Sequence, residues 1–104
     1  MSEYQIFISD YAQRDIKEII NYLSLNLMEP LTAKNIASEI DKSISSLKEM
    51  PQRHSLVLSN STKQNSFRKL PVKNYIVFFE IYEEQKAVGI VRVLYGRRNW
   101  KNII

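Results

Sequence analysis

A chain of 104 residues, 44% of them hydrophobic and 25% charged, can build one core but not two. It has no cysteine and one histidine, His54. That excludes a disulfide framework, thiolate metal sites and a multi-histidine centre, and leaves a Ser-His-Asp triad only His54 to be built around. The net charge of +4 is unevenly spread: residues 1–50 hold five Lys/Arg against eight Asp/Glu (−3), and residues 51–104 hold ten against three (+7). A cationic half of that size suits a polyanion or an acidic partner.

Tyr4 to Ser9 alternates, with Tyr4, Ile6 and Ile8 on one side, and predicts a short strand. Ser9 and Asp10 are both good N-cap residues, and Asp10 with Gln13 has capping-box spacing. The helix that follows carries Ala12, Ile16, Ile19, Ile20, Leu23 and Leu27 on one face. Arg14, Lys17, Glu18 and Asn21 occupy the other, so Asp15 and Glu18 are expected in solvent. Asn26 to Pro30 breaks this helix, and a second starts near Pro30 to Thr32. Its stripe is Ala33, Ile36, Ala37, Ile40, Ile44 and Leu47, and Pro51 stops it at about Met50.

Residues 52–66 are polar and without period, which predicts a long exposed loop with a short strand near 56–58 and an exposed His54. Three β-rich runs follow, 66–72, 75–82 and 87–95, joined by Lys73-Asn74 and by the four residues 83–86. They predict a meander of hairpins. The order β-α-α-β-β-β over one domain, 1–104, describes an α+β fold: an antiparallel sheet with an αα-hairpin on one face and the other face open. Ile103 and Ile104 form a closing apolar pair with no assigned docking site.

The chain's chemistry concentrates in VGIVRVLYGRRNW, Val88 to Trp100. Strict alternation sets Val91, Val93 and Tyr95 against Ile90, Arg92 and Leu94, and Gly96 then turns the backbone so that Arg97, Arg98, Asn99 and Trp100 gather at the strand end. A rigid strand delivering guanidinium groups to a sheet edge presents charge to an anion. Arg68 and Lys69 alternate on their strand, so one of them faces the groove, and Arg68 is preferred. Lys63 joins from the loop, and Trp100 is a candidate partner anchor. The plain alternatives are a surface pair between Arg98 and Glu80, a solvated Arg97, and packing roles for Tyr95 and Trp100. With only Gly89 and Gly96 there is no phosphate-cradling loop, and neither paired carboxylates nor a metal-ligand cluster appears, so no metal or cofactor is expected. No apolar run reaches bilayer length and no signal-peptide pattern precedes Tyr4; the expected location is the cytoplasm, without a membrane partner.

The element order and four segments resemble the toxins of the RelE/ParE superfamily, the toxic halves of type II toxin–antitoxin pairs. The segments are YQIFISDYAQRDIKEIINYL, PLTAKNIASEIDKSISSLKEMP, FRKLPVKNYIVFFEIY and IVRVLYGRRNW. The resemblance implies a cognate antitoxin partner, contact with operator DNA only through that antitoxin, and one of two activities. RelE-like members are ribosome-dependent, metal-independent mRNA endonucleases, and for that chemistry the matching residues would be Arg68, Lys69, Tyr95 and Arg98, with Lys63. ParE-like members bind DNA gyrase, and Arg68, Arg97, Arg98, Trp100 and Lys63 would then serve as contacts. Nuclease members commonly carry an arginine after the aromatic that opens the central strand; here Ile76 follows Tyr75. A later C-terminal tyrosine seen in some nucleases is also missing. The expectation is therefore ParE-like, with the nuclease and a non-toxic, antitoxin-binding member as alternatives.

Overall fold

A computed structural model of the chain describes residues 3–57, 67–98 and 100. The alternating N-terminal run forms β1 (Gln5–Ile8), and Ser9 caps α1 (Asp10–Asn21) by accepting from the Ala12 N–H at 3.0 Å. Ser9, rather than Asp10, is the cap, and Gln13 turns back to donate to the Ile8 carbonyl at 3.0 Å. The helix widens into a π turn (Tyr22–Asn26) that closes with Met28 in the left-handed region at φ 56°. Pro30 opens α2 (Pro30–Ser45), which tightens into a 3₁₀ turn at Ser46–Lys48. A second 3₁₀ turn (Pro51–Arg53) precedes β2 (Arg68–Val72), β3 (Tyr75–Tyr82) and β4 (Ala87–Tyr95).

The sheet order is β1-β4-β3-β2. The expected α+β order holds, and β2, β3 and β4 form the predicted antiparallel meander around a two-residue Lys73–Asn74 turn. β1, however, runs parallel to β4, with Gln5 opposite Ala87 and Ile8 opposite Ile90, so the sheet is mixed. That direction brings Ser9 alongside Ile90, to which its N–H donates at 3.0 Å, and starts α1 beside the part of β4 that β1 does not reach. Of the expected strand near 56–58, the described residues 56 and 57 show one bridge, Leu56 to Arg68, which covers part of the outer edge of β2. Most of the predicted loop, Lys63 included, lies outside the described residues, as do Ile103 and Ile104.

The helices pack on one face of the sheet. Ala12, Ile40, Ile44 and Leu47 meet Tyr4, Val77, Phe79, Val88, Ile90 and Val93 there. Strict alternation would set Ile90 and Val93 on opposite faces; a bulge reconciles them. Phe79 sits opposite Ile90 and Phe78 opposite Arg92, which leaves Val91 as an extra residue. The kink is tied down: Ser9 Oγ donates to the Val91 carbonyl at 2.8 Å.

Beside the bulge, Asp15 departs from its expected place in solvent. Arg92 donates through Nε at 2.7 Å and Nη2 at 2.8 Å to its two carboxylate oxygens, and the Val93 N–H adds a third bond at 3.0 Å. The side chains are 22% and 8% exposed, respectively. The hydrogen bond to Asp15 raises the Arg92 pKa, outweighing the opposing effect of burial. His54 also departs from expectation. Its ring packs edge-on against Phe79, with centroids 5.8 Å apart, and Nε2 is buried with no hydrogen-bond partner among the described residues. Burial, then the charges of Arg53 and Arg68, push its pKa below the ordinary 6.5.

Two outcomes follow from these buried groups. Asp15→Ala leaves the Arg92 guanidinium unpaired and should lower unfolding free energy in urea by on the order of 3 kcal/mol. Glu18→Ala, on the same helix but exposed, should stay within about 0.5 kcal/mol. Because the unfolded chain takes up a proton on His54 more readily than the folded one, stability should be full above pH 6.5 and fall as pH drops below it. Urea midpoints measured at pH 7.5 and 5.5 should diverge less in His54→Phe than in the parent.

Candidate functional site

β4 ends in a turn set by close backbone approach. The Gly96 N–H donates to the Asn74 carbonyl at 2.7 Å, and a Cβ on Gly96 would press on that same oxygen at 3.2 Å. The Arg98 N–H then donates to the Tyr95 carbonyl at 3.0 Å, and the Trp100 N–H to the Arg98 carbonyl at 2.7 Å. This winding places neighbouring side chains on opposite sides of the sheet.

On the helix side, Tyr95 meets Tyr75 edge-on at 5.9 Å. Both line a cavity of about 570 Å³ with Tyr22, Leu23, Leu27 and Arg98. Burial first, then the neighbouring Tyr95 and Tyr22 hydroxyls, raise the Tyr75 pKa, so its phenol stays protonated across the physiological range. Arg97 lines an adjoining recess with Lys73, on the far side of the Tyr75–Tyr95 pair.

On the other face Trp100 folds back onto Phe78, ring centroids 5.2 Å apart, and the Lys69 ammonium lies 6.0 Å from the indole. Phe78 and Leu94 are buried on this side. The face expected to be open is thus partly roofed by an aromatic from the chain itself.

Arg68, the preferred groove residue, is held elsewhere. It shares the helix side of β2 with Leu70 and Val72, and its Nη1 donates to the carbonyls of Gln52 at 3.1 Å and His54 at 2.6 Å. Lys69 therefore takes the opposite face, beside Trp100. The candidate residues divide into an Arg97–Arg98–Tyr95 edge, a Lys69–Trp100 pair and a separately anchored Arg68. Nor does Arg98 pair with Glu80, which lines a recess with Phe67, Tyr82 and Arg92. No cluster of three or more His, Asp or Glu able to hold a metal occurs among the described residues, and no helix among them is long and apolar enough to cross a membrane.

Sequence reasoning missed Tyr22 as a wall of the cavity, because it lies one step off the apolar stripe of α1. The π turn, which carries Tyr22 at its start, leaves no mark in hydrophobic periodicity.

Solved structures similar to this fold include ParDE and RelE–RelB toxin–antitoxin systems. A chromosomal ParDE system from P. aeruginosa matches with a TM-score of 0.69 at 15% identity, covering 89% of this chain and 96% of that one. An archaeal RelE–RelB complex from Pyrococcus horikoshii matches at 0.64 with 11% identity, covering 92% and 98%. A mutant of E. coli RelE in the free state matches at 0.63 with 11% identity, covering 99% and 93%. Comparison with curated proteins finds no match. The model of the ParE toxin of the type II toxin–antitoxin system parDE matches residues 6–100. The chain belongs to the ParE toxin family, within the RelE/ParE superfamily.

Removing the indole tests how firmly the far face is roofed. Trp100→Ala should cost on the order of 2 kcal/mol in urea unfolding, since it uncovers Phe78. A loss near zero would mean that the Trp100–Phe78 contact contributes nothing to stability in solution.

Proposed function

We propose that this toxin arrests growth by binding DNA gyrase, without a catalytic step of its own, and that a co-expressed antitoxin silences it. The observation that carries this reading is the far face of the sheet. Ile76 stands where nuclease members of the superfamily commonly carry an arginine, and Trp100 lies on Phe78 beside it. Cleavage through a 2′-hydroxyl needs cations converging on one phosphate and a group to take a proton. Here two backbone carbonyls hold Arg68 on the other side of the sheet from Lys69. An antitoxin partner is supported by the ParDE and RelE–RelB assemblies that share the fold.

A second reading, the ribosome-dependent mRNA endonuclease, draws on Lys69 beside Trp100 and on Arg98 at the strand end, together with the RelE structures among the matches. The third, a non-toxic member that only binds antitoxin, would leave growth untouched.

Induction without antitoxin should stop growth within a few generations, and purified toxin should abolish gyrase supercoiling in vitro. Arg98→Glu should weaken that inhibition by about tenfold, as expected for a reversed interfacial charge. Full supercoiling at saturating toxin, together with new mRNA ends by primer extension that Arg98→Ala removes, would replace the gyrase reading with the nuclease one. Unimpaired growth would favour the third.

A further inference from the structure

On the far face of the sheet, toward β1, lies a recess of about 790 Å³. Its floor follows from strand register. Phe7, Gly89 and Glu80 stand opposite one another across β1, β4 and β3, so they form one row on one face. Gly89, in the middle of that row, contributes no side chain. Tyr82 takes part of the space instead: a Cβ on Gly89 would come within 3.0 Å of its ring. Tyr11 at the start of α1 and Phe67 ahead of β2 complete the walls. Four aromatic residues therefore line a recess that holds one carboxylate.

The charges in the recess select a cation. Arg92 lines it as well, but its two bonds to Asp15 neutralise it. Glu80 has no ion pair among the described residues. It hydrogen-bonds the Tyr82 phenol, whose pKa rises through burial first and then through the Glu80 charge and this bond. The phenol thus stays a donor and holds the carboxylate in place. Tyr11 already attracts guanidinium groups, since Arg14 and Arg92 lie 5.6 and 5.8 Å from its ring centroid.

We propose that this recess receives an arginine side chain from a partner polypeptide, with the guanidinium against the aromatic walls and bonded to Glu80. A planar guanidinium can stack on a ring while presenting paired N–H donors to one carboxylate, which a lysine ammonium cannot do. The space exceeds one guanidinium, and Phe7 and Tyr11 at its rim are 58% and 64% exposed. The occupant therefore carries apolar groups beside its cation, as a peptide segment does and a free small cation does not. A nucleic acid is disfavoured, because Glu80 repels phosphate. The recess shares no lining residue with the cavities at the Arg97–Arg98 edge, and the proposal does not depend on the gyrase reading.

The test is a titration of the isotopically labelled full chain, followed by amide NMR, with a capped synthetic peptide bearing one arginine between two leucines. The amides of Phe7, Tyr11, Glu80 and Gly89 should shift. Glu80→Gln should weaken binding by about tenfold, as expected when a charge-assisted bond loses its charge. Phe7→Ser should also weaken it, with retained amide dispersion elsewhere showing that the variant is folded. A peptide with citrulline in place of arginine, neutral but of the same shape, should leave those amides unmoved. Shifts confined to other surfaces, equal binding of the citrulline peptide, or undiminished binding to Glu80→Gln would overturn the proposal. Agmatine binding as tightly as the peptide would overturn it in favour of a free small cation, and a preference of the same amides for oligouridylate in favour of RNA.

Discussion

The bond between Arg92 and Asp15 fixes the relation of helix to sheet. Asp15 sits one and a half turns into α1, and Arg92 lies just past the extra residue of β4, so the pair locks the helix at one height along the strand. Three hydrogen bonds converge on one carboxylate, two from a guanidinium and one from the strand backbone. A slip of α1 by one residue would break all three and strand two charges in a poorly hydrated crevice, which is the kind of penalty that enforces a single register. The placement of Tyr22 and Leu23 beside Tyr95 depends on it, because they continue the same helical rod.

The bulge that accompanies this pair also shapes the far face. Moving one residue out of the ladder lets Ile90 and Val93 both reach the helices, and it leaves Arg92 opposite Phe78 on the other side. Hence one strand supplies both an aliphatic core and the ground on which Trp100 rests. The basic residues are divided by the same geometry. Arg68 is absorbed into the packing of residues 52–54 against β2, and Arg97 and Arg98 stay outside, where no ion pair among the described residues engages them.

Much of this was readable from residue order. The apolar stripes of α1 and α2 and the alternation of β3 carry a period that local sterics translate directly into secondary structure. The parallel seat of β1 and the burial of Asp15 were not readable, because each depends on a partner about eighty residues away, and the bulge at Val91 leaves no mark in the alternation of β4. Asp15 looks like any charge on a solvated face until Arg92 is brought to it. His54 is similar: only the turn of Pro51–Arg53 presses its ring against Phe79. The division of Arg68 from Lys69 was legible in strand alternation, but which of them faced outward depended on carbonyls supplied by the preceding loop.

The seating of β1 has a further consequence for how the molecule is made. Among the described residues its one strand neighbour is β4, and Gln5 must find Ala87 before the four-stranded layer is complete. Pairing across so long a stretch of chain is slow, because loop-closure entropy is spent before the contact repays it. During synthesis, residues 5–8 must wait until residues 87–90 have emerged, with Ile6, which ends against the core, uncovered meanwhile. A nascent chain of this kind completes its sheet only once β4 has emerged, so truncated products that stop before β4 lack both the edge bearing Arg97 and Arg98 and the platform that would hold it.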